Sequence, residues 1–232
     1  MDSRLVDTAL GRLRIRTRGS GEAGAEAIAF WPSLLMTGDM WAAQADHFGT
    51  DRHVILIDPP GHGGSERLTA PFTFAECAQC VVDILDALDE PKTHFVGNSW
   101  GGMIGATFAA HHPDRIDRAV LMNCTASPAA RRQKLEYGLL VRMATLFGRI
   151  RPPLTRSVLS AFLGPTTFGT RPDVVRFVRA TVESVDLASA AWAVRSVVPN
   201  RPDQRALLSN VTAPVLVVAG AEDATFPNPE TR

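Results

Sequence analysis

The segment from Thr93 to Met103 constrains the fold most, because it has the pattern of a buried strand, a tight turn and the start of a helix. The turn carries the pattern G-x-S-x-G, with the serine at Ser99. A serine on such a corner adopts strained backbone, and Gly97 and Gly101 leave room where side chains would collide. The helix directs free N–H groups and the positive end of its dipole to the same place, which suits an oxygen anion. Ser99 is therefore a candidate nucleophile.

Strand and helix patterns alternate along the first half of the chain, with short loops between them. Further strands are predicted at 12–18, 27–31, 53–58 and 118–123, and further helices at 41–48 and 74–88. The run at 12–18 alternates with arginines, which is typical of a half-exposed strand, whereas short apolar runs without polar alternation are typical of strands that are buried on both faces. The alternation predicts an α/β fold, with a mostly parallel sheet flanked by helices.

The alternation stops after Thr125. Up to about Val198 the sequence has only helical patterns separated by prolines, and amphipathic helices are predicted over 135–147 and 174–193. A strand pattern returns at 213–220 and is followed at once by Glu222 and Asp223. A helical insertion between two sheet strands is therefore expected.

Composition restricts the class of partner. The 24 Lys and Arg residues balance the 24 Asp and Glu residues, so no excess charge indicates a nucleic acid or membrane partner, and a small-molecule substrate is expected. The sequence lacks a signal-peptide pattern and a membrane-spanning apolar run, which predicts a cytoplasmic protein. Oligomeric state is not predicted.

The sequence has three cysteines, an odd number, so a disulfide framework is not expected. Cys77 and Cys80 form a C-x-x-C pattern inside a predicted helix, without a second pair of ligands. Half-buried free thiols are expected there. Neither a metal nor a cofactor is expected.

Taken together, these motifs resemble the α/β-hydrolase superfamily, from about Gly11 to the last residue. The turn from Asp58 to Ser65 is similar to the family's Asp-x-x-Gly-His-Gly-x-Ser turn, which makes His62 a structural loop residue rather than the general base. The strand followed by Gly-x-x-Asp is similar to the family's acid turn, with Asp223 as the acid and Glu222 as the nearby alternative. The order Ser, then Asp, agrees with that fold.

The loop after the strand at 27–31 departs from the family pattern, since Pro32-Ser33 replaces the usual His-Gly. Together with Met40-Trp41 it looks like the 3-oxoadipate enol-lactonase branch. That resemblance implies an oxyanion hole made by the backbone N–H groups of Leu34 and Trp100, with Ser33 as the alternative to Leu34.

The resemblance also implies three segments: a core over 1–124, a helical lid over 125–198 and the remainder of the core over 199–232. Lid side chains that could line an apolar pocket are Tyr137, Met143, Phe147, Phe162, Phe168 and Trp192.

The general base is missing from its expected place. All six histidines precede Asp223, although the family's base follows the acid. The sequence is therefore expected to be C-terminally truncated, without the last strand and helix, and weakly active or inactive. For the complete protein the resemblance implies hydrolysis of an ester or lactone bond in a small, largely apolar molecule. The alternatives are carbon–carbon bond hydrolysis and a non-catalytic ligand-binding protein.

Overall fold

A computed structural model describes residues 1–19, 26–129, 150 and 154–227 of the protein. The strands in this part of the chain are β1 (Asp2–Thr8), β2 (Gly11–Arg18), β3 (Ala27–Trp31), β4 (His53–Ile57), β5 (Thr93–Asn98), β6 (Ile116–Met122) and β7 (Val215–Val218). The α-helices are α1 (Ala42–Phe48), α2 (Phe74–Ala87), α3 (Trp100–His111), α4 (Leu154–Phe162), α5 (Pro165–Thr170), α6 (Pro172–Ser184) and α7 (Leu187–Val197).

The strands form one sheet in the order β1-β2-β4-β3-β5-β6-β7. β1 pairs antiparallel with β2, and β2 pairs antiparallel with β4. All the remaining pairs, from β4 to β7, are parallel. This confirms the predicted mostly parallel sheet.

Helices cover both faces of the central strands. Successive side chains of a strand point to opposite faces, so Ala29 of β3 lies in one apolar cluster with residues of α2 and α3, while Ile28 lies in a second cluster with Trp41 and Ala45 beside α1. Every residue of β3 and β4 is buried, as their continuous apolar runs predicted. The carboxyl ends of the parallel strands therefore meet at one edge of a rigid layer.

The N-terminal strand β1 was not predicted. Its sequence is polar, and Val6 is its sole buried side chain, because the strand lies at the edge of the sheet. Helix α3 begins at Trp100, because it follows the corner at Ser99 directly.

The long helix predicted over 174–193 is instead two helices, α6 and α7. The chain breaks at Val185, and the side chain of Asp186 accepts hydrogen bonds from the backbone N–H groups of Ala188 and Ser189, which starts a new helix. The helix predicted over 135–147 lies outside the described residues. Between β6 and β7 the described residues form helices and no strand, as expected.

Helices α4 to α7 form a cluster of their own, the helical insertion (residues 154–197). Its apolar core contains Leu159, Val178 and Val182, and Leu35 and Met36 of the loop after β3 pack into it. The insertion is thereby attached above the carboxyl edge of the sheet.

Cys77, Cys80 and Cys124 are free and buried, more deeply than the half-buried state predicted for the C-x-x-C pair. Burial raises the pKa of the Cys80 thiol to about 11 and that of Cys124 to about 12. In the described residues no helix is long and apolar enough to cross a membrane.

Candidate active site

Ser99 occupies the sharp corner between β5 and α3. Its backbone has φ 55° and ψ −113°, outside the regions that side chains favour, and its N–H donates to the carbonyl of Met122 at 2.8 Å. A Cβ on Gly97 would lie 2.1 Å from the carbonyl oxygen of Gly101, and one on Gly101 would lie 2.2 Å from the carbonyl oxygen of Trp31. The two glycines of the motif are required by close backbone contacts, as the sequence predicted.

The indole of Trp100 anchors the corner from below. It is fully buried and packs against the rings of Trp31, Phe72 and His62, each with its centroid 5.6 Å away. The start of α3 is therefore fixed in the core, and Ser99 above it is only half-buried.

A cavity of about 690 Å³ lies over this corner and brings the predicted site residues together. Ser99, Leu34 and Asp223 all line it. They follow β5, β3 and β7 respectively, and the ends of parallel strands meet at this edge of the sheet. The volume is typical of a small-molecule site.

The backbone N–H groups of Leu34, which lines the cavity, and of Trp100, which follows Ser99, have no acceptor among the described residues. Trp100 is the first residue of α3, where amide groups lack partners within the helix. Leu34 lies in a turn closed by a 3.1 Å hydrogen bond from Met36 N–H to the Ser33 carbonyl. Leu35 in this turn has φ 63°, and its N–H donates to His62 Nε2 at 3.2 Å.

Asp223 is better placed as the acid than Glu222. One carboxylate oxygen of Asp223 accepts from the N–H groups of Thr225 at 2.8 Å and Phe226 at 2.9 Å, which fixes its orientation. Its other oxygen has no partner among the described residues. The carboxylate of Glu222 is occupied by the backbone N–H and hydroxyl of Thr166, which lower its pKa.

None of the six histidines lines the cavity. His62 is buried behind it, where Nδ1–H donates to the Pro60 carbonyl at 2.9 Å and Nε2 accepts from Leu35. Both ring nitrogens are thus engaged, and burial lowers the pKa of His62 and keeps the ring neutral. His62 supports the loop after β3, as expected from its place in the turn motif.

The sequence reasoning missed two asparagines at the floor of the cavity, Asn98 and Asn123. Asn98 Nδ2 donates to Ser33 Oγ at 2.7 Å, and Asn123 Nδ2 donates to Asn98 Oδ1 at 2.9 Å. Each asparagine stands at or directly after the end of a buried strand, which is the signal that could have identified it.

The walls of the cavity are mainly apolar and come largely from the helical insertion. Phe162 lines the cavity, whereas Phe168 is exposed and Trp192 packs under Arg195. Tyr137, Met143 and Phe147, the other side chains considered for the pocket, lie outside the described residues.

Comparison with known proteins agrees with this fold. The family model for the alpha/beta hydrolase fold matches residues 26–232. The chain is 29% identical over 206 residues to 3-oxoadipate enol-lactonase 2 of Acinetobacter baylyi, a match that covers 88% of this chain and 73% of that protein. It is 38% identical over 93 residues to the putative carbamate hydrolase RutD of a Caulobacter species, covering 40% of this chain and 35% of that protein.

Solved structures also superpose closely. The crystal structure of a hydrolase from Pseudomonas aeruginosa gives a TM-score of 0.89 at 27% identity, with 99% of this chain and 84% of that chain covered. The enol-lactonase from Burkholderia xenovorans gives a TM-score of 0.85 at 24% identity, with 99% and 85% covered, and at this identity it supports the fold alone.

Proposed function

Since the chain belongs to the alpha/beta hydrolase fold family, we propose that it is a serine hydrolase that cleaves an ester or lactone bond in a small, largely apolar molecule. One observation carries the proposal: Ser99, on its strained corner, shares a cavity with the oriented carboxylate of Asp223 and with Leu34, whose backbone N–H, like that of the adjacent Trp100, has no acceptor among the described residues.

In the proposed reaction the Ser99 hydroxyl attacks the carbonyl carbon of the substrate and passes its proton to a histidine. Asp223 orients that histidine through its unpartnered carboxylate oxygen. This fold uses the order Ser, Asp, His, and all six histidines of the 232 residues precede Asp223. The leaving alcohol, or the ring oxygen of a lactone, takes the proton, and water then releases the acyl group.

Charge in the transition state collects on the substrate carbonyl oxygen. The N–H groups of Leu34 and Trp100 are the proposed donors to it, and losing one such donor typically slows the reaction about 100- to 1000-fold. Both are backbone groups at fixed positions, so they need no rearrangement as the charge develops.

The apolar walls support a substrate whose acyl or alcohol part is largely hydrocarbon. Val158, Leu163, Leu187 and Val194 of the helical insertion line the cavity, while Ser33, Asn98 and Asn123 line it at the ends of the strands. The enol-lactonase and carbamate hydrolase names of the relatives support hydrolysis at a carbonyl carbon. We further propose that the insertion acts as a lid over this site.

A fluorophosphonate tests the nucleophile, with free imidazole in place of the absent base. We expect slow phosphonylation of Ser99, located by mass spectrometry, which imidazole accelerates at least about tenfold in proportion to its neutral form. Ser99→Ala should remove the labelling. A chain that is not labelled at Ser99 in imidazole but still binds apolar esters would instead be a ligand-binding protein, an alternative favoured by the lack of a histidine at the cavity.

A further inference from the structure

A row of hydrogen bonds crosses the floor of the cavity, from the turn after β7 to the loop after β3. Gly220 N–H donates to Asn123 Oδ1 at 2.7 Å, Asn123 Nδ2 donates to Asn98 Oδ1 at 2.9 Å, and Asn98 Nδ2 donates to Ser33 Oγ at 2.7 Å. We call these four residues the amide row. Ser99 follows Asn98 directly in the chain and lines the same cavity.

The direction of every bond in the amide row is fixed by its first member. A backbone N–H can only donate, so Asn123 must turn its oxygen to Gly220 and its NH₂ to Asn98. Asn98 must then present its oxygen to Asn123 and its NH₂ to Ser33. The Ser33 oxygen is therefore an acceptor in this row, and its own proton is not used there.

The Ser33 hydroxyl proton has no acceptor among the described residues. Ser33 is only 2% exposed, so water does not freely hydrate it, but it lines the cavity beside Leu34 and Ser99. A buried donor without a partner is costly unless something else accepts its proton. The cavity is the remaining direction for it.

We propose that the Ser33 hydroxyl is a third donor to the substrate carbonyl oxygen and its oxyanion, and that Asn98 and Asn123 are positioning residues that turn its proton into the cavity. The inference rests on the proposed serine hydrolase mechanism and adds a side-chain donor to its two backbone amides. Bonds aligned head to tail also polarise one another, which strengthens the last donor.

Two substitutions reverse the last bond of the row, between residue 98 and Ser33, with little change in the size of a side chain. In Asn98→Asp the carboxylate cannot donate, so it accepts the Ser33 proton and draws it away from the cavity. In Asn123→Asp the carboxylate accepts from both Gly220 and Asn98. The Asn98 side chain then turns its oxygen to Ser33 and accepts the Ser33 proton. This substitution therefore acts on Ser33 indirectly, through Asn98.

The readout is the rate constant for phosphonylation of Ser99 by a fluorophosphonate in imidazole, since the phosphonyl oxygen takes the place of the oxyanion. Ser33→Ala should lower it roughly 100-fold. Asn98→Asp and Asn123→Asp should each lower it by a similar factor. In the Ser33→Ala background either one should change it by less than about threefold, because the proton they redirect is already gone.

Ser209→Ala, at an exposed serine of the short helix Leu207–Asn210, is the matched control and should leave the rate constant unchanged. Thermal midpoints of all variants are measured beside it to exclude unfolding. Ser33→Ala labelling at the unmodified rate overturns the third donor while leaving the serine nucleophile intact. If the Asp variants lower the rate constant by their full factor in the Ser33→Ala background as well, their effect comes from the added charge, and the positioning role of Asn98 and Asn123 is wrong. Absence of Ser99 labelling in the unmodified chain overturns both proposals.

Discussion

Gly97 is the residue at which the corner below Ser99 tolerates least change. A methyl group there would meet the carbonyl oxygen of Gly101 at 2.1 Å and the nitrogen of Gly102 at 2.7 Å, and both are backbone atoms that cannot rotate away. We expect Gly97→Ala to lower the free energy of unfolding by about 1–3 kcal/mol or more, because the first turn of α3 must move. Urea unfolding followed by Trp fluorescence measures this change.

Gly169 provides the matched control, since it lies within α5 and a Cβ there would meet nothing within 4 Å. Gly169→Ala should be neutral or stabilise by up to about 1 kcal/mol, as alanine favours helix. Equal destabilisation by both substitutions would contradict the steric account of the corner.

His62 makes the loop after β3 sensitive to pH. Burial lowers the pKa of His62, so the folded protein binds this proton less readily than the unfolded chain, whose histidine pKa is about 6.5. The contribution of neutral His62 to the free energy of unfolding is therefore complete above pH 6.5. It is lost as the pH falls below 6.5 toward the lowered pKa of the folded state. We expect the thermal midpoint to decrease as the pH is lowered from 7.5 to about 5.

His62→Gln tests the source of this pH dependence. A glutamine oxygen can still accept from the Leu35 N–H, which His62 Nε2 accepts at 3.2 Å, but glutamine does not titrate. Burial also lowers the pKa of His112, so part of the dependence should persist in the variant. An unchanged profile in His62→Gln would show that His62 does not carry it.

At the residue level, candidate site residues could be predicted where a local motif contains them. Contacts between residues that are distant in the sequence could not be predicted. Ser99 and Asp223 could be proposed as site residues because each follows a strand in a recognisable turn. Asn98 and Asn123 could not be paired, since their contact depends on the register of β5 against β6, in which Asn98 lies opposite Met122.

Among the elements, the turn after β7 and the helical insertion are joined by side-chain hydrogen bonds. Glu222 accepts from the backbone N–H and hydroxyl of Thr166 at the start of α5, and the Thr225 hydroxyl donates to the Ala161 carbonyl of α4 at 2.9 Å. Both Glu222 and Thr225 flank Asp223. These bonds link the insertion directly to the turn that carries Asp223.

Thr166→Val removes one of these bonds and keeps the shape of the side chain. We expect several-fold faster amide hydrogen exchange in α5, because local opening requires fewer broken contacts. Thr170→Val is the control, since the Thr170 hydroxyl donates to the Thr166 carbonyl within the same helix and joins nothing else. If both variants exchange alike, the contact with Glu222 does not hold the insertion.

Elements were predicted well where the hydrophobic period is strong. The fully buried β3 and β4 and the amphipathic α2, with its capping box of Thr73 and Glu76, agree with the predicted bounds within one residue. Polar β1 was missed because edge pairing leaves little apolar pattern. The break between α6 and α7 was missed because a single cap at Asp186 interrupts a continuous amphipathic period.

For the whole molecule, the outer edge of the sheet at β7 is an exposed apolar surface. All four of its side chains are exposed and apolar, with Leu216 at 59% and Val217 at 51%. β7 pairs with β6 on one side, and no strand in the described part of the chain pairs with its other side. An open apolar edge of this kind promotes association with other chains.

We expect the 232-residue chain to self-associate through β7 and Leu216→Lys to weaken that association roughly 10- to 100-fold, since burying one leucine contributes about 1.5–3 kcal/mol. Light scattering coupled to size exclusion over a range of concentrations measures the effect. Leu5→Lys is the matched control, because Leu5 is 51% exposed on β1 at the opposite edge, where the next side chains on the same face, Ser3 and Asp7, are polar. The control should leave association unchanged.

Urea unfolding should give similar stability for both variants, since neither leucine is in the core. A monomeric unmodified chain, or equal effects of the two substitutions, would show that the β7 edge does not drive association.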